Sequence, residues 1–284
     1  MIELVRGDWR LDVAPHLGGS IARLRWRGID VLRPIPAGSH DVLESGCFPL
    51  IPYANRIADG RFACGERDVE LAALPDFAPH ALHGDGWLQP WDVMDSDDGS
   101  IRLIYRHPAD AWPWAYEAKQ TFEVVGDRLR VELLLTNSSD EPMPAGLGLH
   151  PYFPVTGDTR LTLRAAEVWA LGEDEIPTTL EPVGNVFDWS DGPHITEAPF
   201  VDHCYSGWDG RAEITGGRIQ TTVTASANAR WAHVFAPGGD FCCIEPVTHR
   251  PDAVHAPRDE DSGLTVLAPG ETMSMWMEIA VSPA

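Results

Sequence analysis

The run RLRVELLLTN, residues 128–137, decides the architecture. Successive side chains of a β-strand point to opposite faces, and here Leu129, Val131, Leu133 and Leu135 share one of them. The same alternation recurs in IRLIYRH (101–107), RLTLRAAEVWAL (160–171) and MSMWMEIAVS (273–282), and the pattern predicts a strand in each. Between such runs lie 26 glycines and 24 prolines, spread along the chain rather than pooled in a linker. Long helical periodicity with caps is scarce. Many short strands separated by turn residues predict an all-β sandwich or barrel. No break in composition marks a domain boundary, so residues 1–284 read as a single domain. Residues 172–203, rich in Pro, Asp and Gly, read as a long ordered loop with short strands.

Composition narrows the function classes. The chain has 43 acidic against 21 basic residues, a formal net charge of −22, and no region concentrates the basic side chains. Such a field repels nucleic-acid phosphates and anionic lipid surfaces, and argues weakly against a phosphorylated substrate. The sole lysine, Lys119 in YEAKQTF, reads as a solvated strand residue rather than a Schiff-base nucleophile. Five cysteines, an odd number without metal-type spacing, make a disulfide framework improbable. The opening MIELVRGDWRLDV lacks the apolar core of a signal peptide, and no apolar run approaches a membrane span. These features point to a reducing, cytoplasmic setting. His80 and His83, and His249 and His255, lack both a regular helix and a third ligand, so no metal site is expected. No phosphate loop, serine elbow or dinucleotide fingerprint occurs.

Five segments carry polar groups that a plain β core does not need. In FPLIPYANRIADGRF (48–62), Asn55 and Arg56 close an apolar, proline-bounded run, and an arginine there offers fixed donors to hydroxyls or carboxylates. In HALHGDGWLQPW (80–91), His83 sits among turn residues near Trp87 and Trp91, whose rings could stack on sugar C–H faces or simply pack. In GLGLHPYF (146–153), Leu147 and Leu149 face one way and Gly146, Gly148 and His150 the other. That glycine strip either packs against another backbone or leaves room for a ligand, and the glycines beside His150 favour the ligand face. In FVDHCYSGW (200–208), Asp202 lies between apolar neighbours and needs a partner, a hydroxyl or an arginine. In the fifth, FCCIE (241–245) places Phe241, Cys243 and Glu245 on one face and Cys242 and Ile244 on the other. Burial would raise the Glu245 pKa toward neutrality, which suits a general base. His249 and His255 read as exposed loop residues.

Taken in order, Asn-Arg-Ile with Gly-x-Phe, Leu-His-Gly with a downstream Trp, Gly-x-His-Pro-Tyr-Phe, Val-Asp-His-Cys-Tyr and Glu-Pro-x-Thr resemble the aldose 1-epimerase, or galactose mutarotase, family. The resemblance implies a β-supersandwich of mostly antiparallel strands with a monosaccharide held in an open cleft on one large sheet. It implies Glu245 as catalytic base and His150 as catalytic acid, with Arg56, His83 and Asp202 holding the sugar and Asn55 accompanying Arg56. It implies no cofactor. The expected reaction interconverts the α and β anomers of a free aldose: Glu245 takes the O1 proton while protonated His150 donates to the ring oxygen, from opposite sides of the C1–O5 bond. A neighbouring carboxylate would keep His150 charged. The segment before Glu245 is compressed relative to the galactose enzymes, and with residues 172–203 it is expected to line the cleft. The same acid–base pair could serve a sugar lactone isomerase or a hexose-6-phosphate 1-epimerase, and the fold could host a non-catalytic sugar-binding protein. Oligomeric state is not legible.

Overall fold

The computed structural model describes residues 1–257 and 259–284. Two large antiparallel sheets dominate it. The first has eleven strands, with the central order Cys47–Leu50, Gly148–Pro154, Phe241–Val247, Trp231–Ala236 and Val201–Ser206. The second has eight and contains Ser100–His107, Tyr116–Val125, Arg128–Asn137 and Thr272–Pro283 side by side. Its inner face is the one the alternation predicts: Leu129, Val131, Leu133 and Leu135 are buried, with Ile279, Met277 and Met275 opposite the first three. Lys119 lies on this sheet, its ammonium 2.8 Å from Glu117 and partly in solvent. No helix among the described residues is long and apolar enough to cross a membrane.

One predicted strand is two. RLTLRAAEVWAL divides into Arg160–Leu163 in the eight-stranded sheet and Glu167–Leu171 in the eleven-stranded one. Leu161 and Leu163 are buried at odd positions, whereas Val168 is buried at an even one. The phase slips across Ala165 and Ala166, whose side chains are too small to mark which face they occupy. A change of phase turns the buried side over, and here the chain changes sheets with it.

The eleven-stranded sheet buries both faces in its centre. Leu149, Cys242, Ile244, Val201 and Tyr205 join the core between the sheets. Phe48, Leu50, Tyr152, Cys204, Trp231, Cys243 and Val247 form a second apolar cluster, and by strand alternation this lies on the outer face. Cys242 and Cys243 fall in different clusters, as the alternation predicts. All five cysteines are free thiols.

The glycine strip is filled, not open. A Cβ on Gly146 would lie 1.9 Å from Cδ2 of His249, and one on Gly148 2.8 Å from Val247 and 2.9 Å from Leu50. His249 is therefore no exposed loop residue. It is 3 % exposed, accepts at Nε2 from the Ala54 backbone N–H (3.0 Å), and its Nδ1 lies 2.7 Å from the Arg250 carbonyl oxygen. His255 is exposed and pairs with Asp252.

Candidate active site

Two prolines open the centre of the large sheet. Pro151 and Pro246 each lack an N–H for the ladder, and the pairing of Gly148–Pro154 with Phe241–Val247 skips from Gly148↔Val247 to Tyr152↔Cys243. The residue before a proline is confined to extended backbone. His150 and Glu245 are those residues. Both stand on the outer face, and His150 Nε2 lies 3.2 Å from Glu245 Oε1. Side by side rather than opposed, they line a cavity of about 280 Å³ with Asn55, Arg56, His83, Asp202 and His233. All six candidate site residues thus meet in one place. The volume falls near the lower end of small-molecule sites, roughly 300–1,000 Å³.

The rim residues reach the cavity by strained loops. Arg56 sits on a short ladder pairing Arg56 with Leu82, flanked by left-handed backbone at Asn55 (φ 60°) on one strand and at His83 (φ 61°) and Gly84 (φ 70°) on the other. Positive φ in non-glycine residues costs energy and clusters at functional sites. Here reciprocal bonds hold it: the Asn55 N–H donates to His83 Nδ1 (2.9 Å) and the His83 N–H to the Asn55 carbonyl (3.0 Å). The proton of a neutral His83 is thereby placed on Nε2. Gly84 is required, because a Cβ there would lie 2.1 Å from the Ile51 carbonyl oxygen. Behind the loop, Asp85 accepts from Tyr105 and Tyr116 and lies 2.8 Å from His107 Nδ1.

Trp87 and Trp91 do not offer faces to a ligand. Both are buried, Trp87 stacks on Phe48 at 5.3 Å, and their indole N–H groups donate to Gly84 and Gly86 carbonyls. The cavity's aromatic wall is instead Tyr152, Phe235, Phe241 and Phe77. Arg33, which the sequence did not single out, stacks 3.8 Å from Tyr152 and 4.6 Å from Phe241 and donates to the Leu43 and Ser45 carbonyls. The 172–203 region contributes Asp202 to the cavity and Glu175 to its rim, where Glu175 meets Arg56 at 2.5 Å. His80 Nε2, 3.0 Å from the Asp174 carbonyl, anchors the same turn.

Electrostatics depart from expectation in one respect. His150 lies between the rings of Phe48 (4.6 Å) and Tyr152 (4.7 Å). Burial there, with the nearby charge of His233, pushes its pKa down to about 3. Burial pushes Glu245 up to about 8, against the opposing charges of His233 and Arg56. The resting pair at neutral pH therefore holds one proton on the carboxyl, and His150 is neutral rather than imidazolium. Neither Glu245 Oε2 nor His150 Nδ1 has a hydrogen-bond partner among the described residues. Burial alone would raise Asp202, but the bond to His233 (2.6 Å) and the charges of His233 and Arg56 bring it down to about 2.

His233 escaped the sequence reading, although a signal existed. Alternation in WAHVFA puts His233 on one face with Trp231 and Phe235, and the observed hairpin pairs it with Glu245, one residue off the symmetric count outward from Pro237–Asp240, which would set it against Ile244. A histidine in WAHVFA, opposite a glutamate in FCCIEP, marks two polar groups on one apolar face.

Comparisons with known proteins show the family and the fold. A family model described as aldose 1-epimerase matches residues 2–280. The Escherichia coli K12 protein YphB is 32 % identical, the alignment covering 98 % of this chain and 97 % of that protein. The crystal structure of the E. coli K12 protein b2544 superposes with a TM-score of 0.89 at 31 % identity, over 99 % of this chain and 98 % of that one. A galactose mutarotase-like protein from Clostridium acetobutylicum has a TM-score of 0.88 at 18 % identity, covering 99 % and 95 %, a likeness of fold.

Proposed function

Because the chain belongs to the aldose 1-epimerase family, we propose that it interconverts the α and β anomers of a free aldose, using Glu245 and His150 as a base–acid pair that shares one proton. The observation that carries this reading is the 3.2 Å approach of His150 Nε2 to Glu245 Oε1 beside the cavity. O1 and the ring oxygen are both bonded to C1, so adjacent protein groups can serve adjacent sugar atoms. The sugar's O1 hydroxyl meets Glu245, and the ring oxygen meets His150 Nε2. The resting proton passes from Glu245 to His150 as the hydroxyl approaches the carboxylate. Glu245 then takes the O1 proton while His150 gives its own to the ring oxygen, and the C1–O5 bond breaks. Rotation about C1–C2 turns the aldehyde. Reclosure on the other face returns each proton to its donor. Arg56 and the Nε2–H of His83 hold hydroxyls, and each proton transfer by a positioned group contributes about 10²–10⁴-fold.

The test is polarimetry or anomeric proton NMR of freshly dissolved α-D-glucose and α-D-galactose with the protein. Faster equilibration is expected. No acceleration with any free aldose, with turnover of an aldonolactone, would replace this reading by lactone isomerisation. The pH profile carries a second expectation. A pair that must hold one proton loses activity when that proton leaves, so kcat/KM falls above pH about 8, the value to which burial raises Glu245. It stays level from neutrality down through pH 5, since His150 accepts a second proton only near its lowered value of about 3. A flat profile to pH 10 would sink the shared-proton scheme.

Glu175 supplies a further prediction. Its exposed carboxylate occupies an Arg56 donor at 2.5 Å that a sugar hydroxyl could use. Glu175 is exposed although Arg56 is buried, and solvent on one side screens the pair to about 1 kcal/mol, so Glu175→Ala is expected to lower KM by about fivefold or less with kcat unchanged. A raised KM would mean that Glu175 aims Arg56 instead of competing for it.

A further inference from the structure

His233 is 3 % exposed and lies in the middle of the large sheet, its neighbours across the ladders being Cys204 on one side and Glu245 on the other. Its Nε2 stands 2.6 Å from Asp202 Oδ1, and its Nδ1 stands 3.3 Å from Asn55 Nδ2. It lines the same cavity as Glu245 and His150. A structural histidine at the centre of a sheet needs only its hydrogen bonds satisfied. This one is also flanked by the Asp202 carboxylate and the Glu245 carboxyl group, in a site shielded from water, where a charge acts strongly on its neighbours.

The groups facing His233 decide its state. From the strand Val201–Ser206 come Asp202 and Cys204, from Phe241–Val247 comes Glu245, and from Gly148–Pro154 comes His150. Asn55, Arg56 and His83 face it from the rim. Asn55 Oδ1 accepts the Arg56 backbone N–H at 2.8 Å, which turns the Asn55 amide nitrogen toward His233 Nδ1. A neutral ring accepts that contact, whereas an imidazolium sets its Nδ1–H against the Asn55 amide, donor facing donor. At 3.3 Å the Asn55 contact is weak beside a 2.6 Å bond to a carboxylate. Burial would lower the proton affinity of His233, but the Asp202 bond, the contact with Cys204 and the charges of Glu245 and Asp202 raise its pKa to about 10.

We propose that His233 is a positioning residue for the reaction: an imidazolium clamped by Asp202 beside Glu245, whose charge sets the pH at which the Glu245–His150 pair gives up its shared proton. It acts through Glu245 and His150 and donates no proton to the sugar. Both members of the pair feel the same cation. It lowers the proton affinity of His150 and opposes the burial that raises Glu245. Without it, both groups hold protons more tightly, and the base is ionised only at higher pH.

The inference rests on the anomer-exchange reading for its kinetic arm alone, since its spectroscopic arm needs no turnover. In the resting wild-type protein, ¹⁵N-detected imidazole spectra are expected to show His233 protonated on both nitrogens through pH 8 and His150 neutral at pH 6. In His233→Gln, which keeps an amide donor for Asp202, the His150 titration moves upward by about one pH unit or more. The basic limb of kcat/KM on a free aldose moves the same way. His233→Lys, retaining the charge, brings both back toward wild type. A wild-type His233 that is neutral at pH 7 overturns the proposal even if neither variant folds. So does a folded His233→Gln whose His150 titration and basic limb are unmoved. Absence of aldose turnover in the wild type, with the spectroscopic shifts as described, would overturn the reaction assignment and leave the electrostatic role of His233 standing.

Discussion

Replacing Glu245 by Gln is expected to slow the proposed anomer exchange by about 10²–10⁴-fold, the range for losing a positioned proton-transfer group, and to leave the fold intact. Both halves follow from burial. Glu245 is 2 % exposed and its pKa is raised to about 8, so the carboxyl is mostly neutral at pH 7. An amide of nearly the same shape replaces a neutral acid at little cost. It cannot take a proton from O1, however, and it cannot pass one to His150. Stability measured by thermal melting at pH 7 should therefore stay within about 0.5 kcal/mol, the usual span for a change that breaks no named interaction. Polarimetry against the wild type reads the rate. Acceleration that survives in Glu245→Gln would remove the carboxylate from the mechanism. A collapse of the melting temperature would show instead that its ionised form supports the fold.

Gly146→Ala has the largest expected effect on stability. The new Cβ would enter the His249 ring at 1.9 Å from Cδ2. That ring cannot step aside freely, because its two nitrogens engage the Ala54 N–H and the Arg250 carbonyl. Overpacking a filled interior destabilises by about 1–3 kcal/mol, and for a chain of this size each kcal/mol moves Tm by about 2–4 °C. A fall of roughly 2–12 °C is expected by calorimetry. The double variant Gly146→Ala/His249→Ala separates the causes. It relieves the clash while leaving the Ala54 N–H unpaired, so its cost should be smaller than the sum of the two single changes. Strict additivity would mean that the methyl and the ring do not meet. Since Ala54 precedes the left-handed Asn55, a loss of kcat in either single variant would trace the contact to the cavity rim.

These two sites differ in how far the sequence reveals them. For Glu245, alternation in FCCIE assigns the face, and the proline that follows assigns extended backbone. The face of Glu245 and the rise in proton affinity that burial brings were both legible before any coordinates. His150 was legible as a residue and misread in its charge: a carboxylate nearby was expected to keep it protonated, and one does lie 3.2 Å away. The rings of Phe48 and Tyr152 that exclude water from it come partly from a strand a hundred residues earlier, and their desolvation outweighs the carboxylate. The tryptophans near His83 were visible, but their stacking on Phe48 and bonds to loop carbonyls were not. Glycine in GLGLHPYF announced a close approach without saying of what.

By itself the sequence determined which side chains share a face, because strand alternation is a property of neighbours along the chain. It thereby gave an all-β chain, sandwich or barrel, and set His150 and Glu245 on the faces opposite Leu149 and Ile244; the two-layer form was implied by the family resemblance. The tertiary structure alone decided which strands lie beside one another, and so brought residues 55, 56, 83, 150, 202, 233 and 245 around one cavity. It also decided where the protons rest, since desolvation and the fields of Asp202, His233 and Arg56 depend on distances through space that no local pattern encodes.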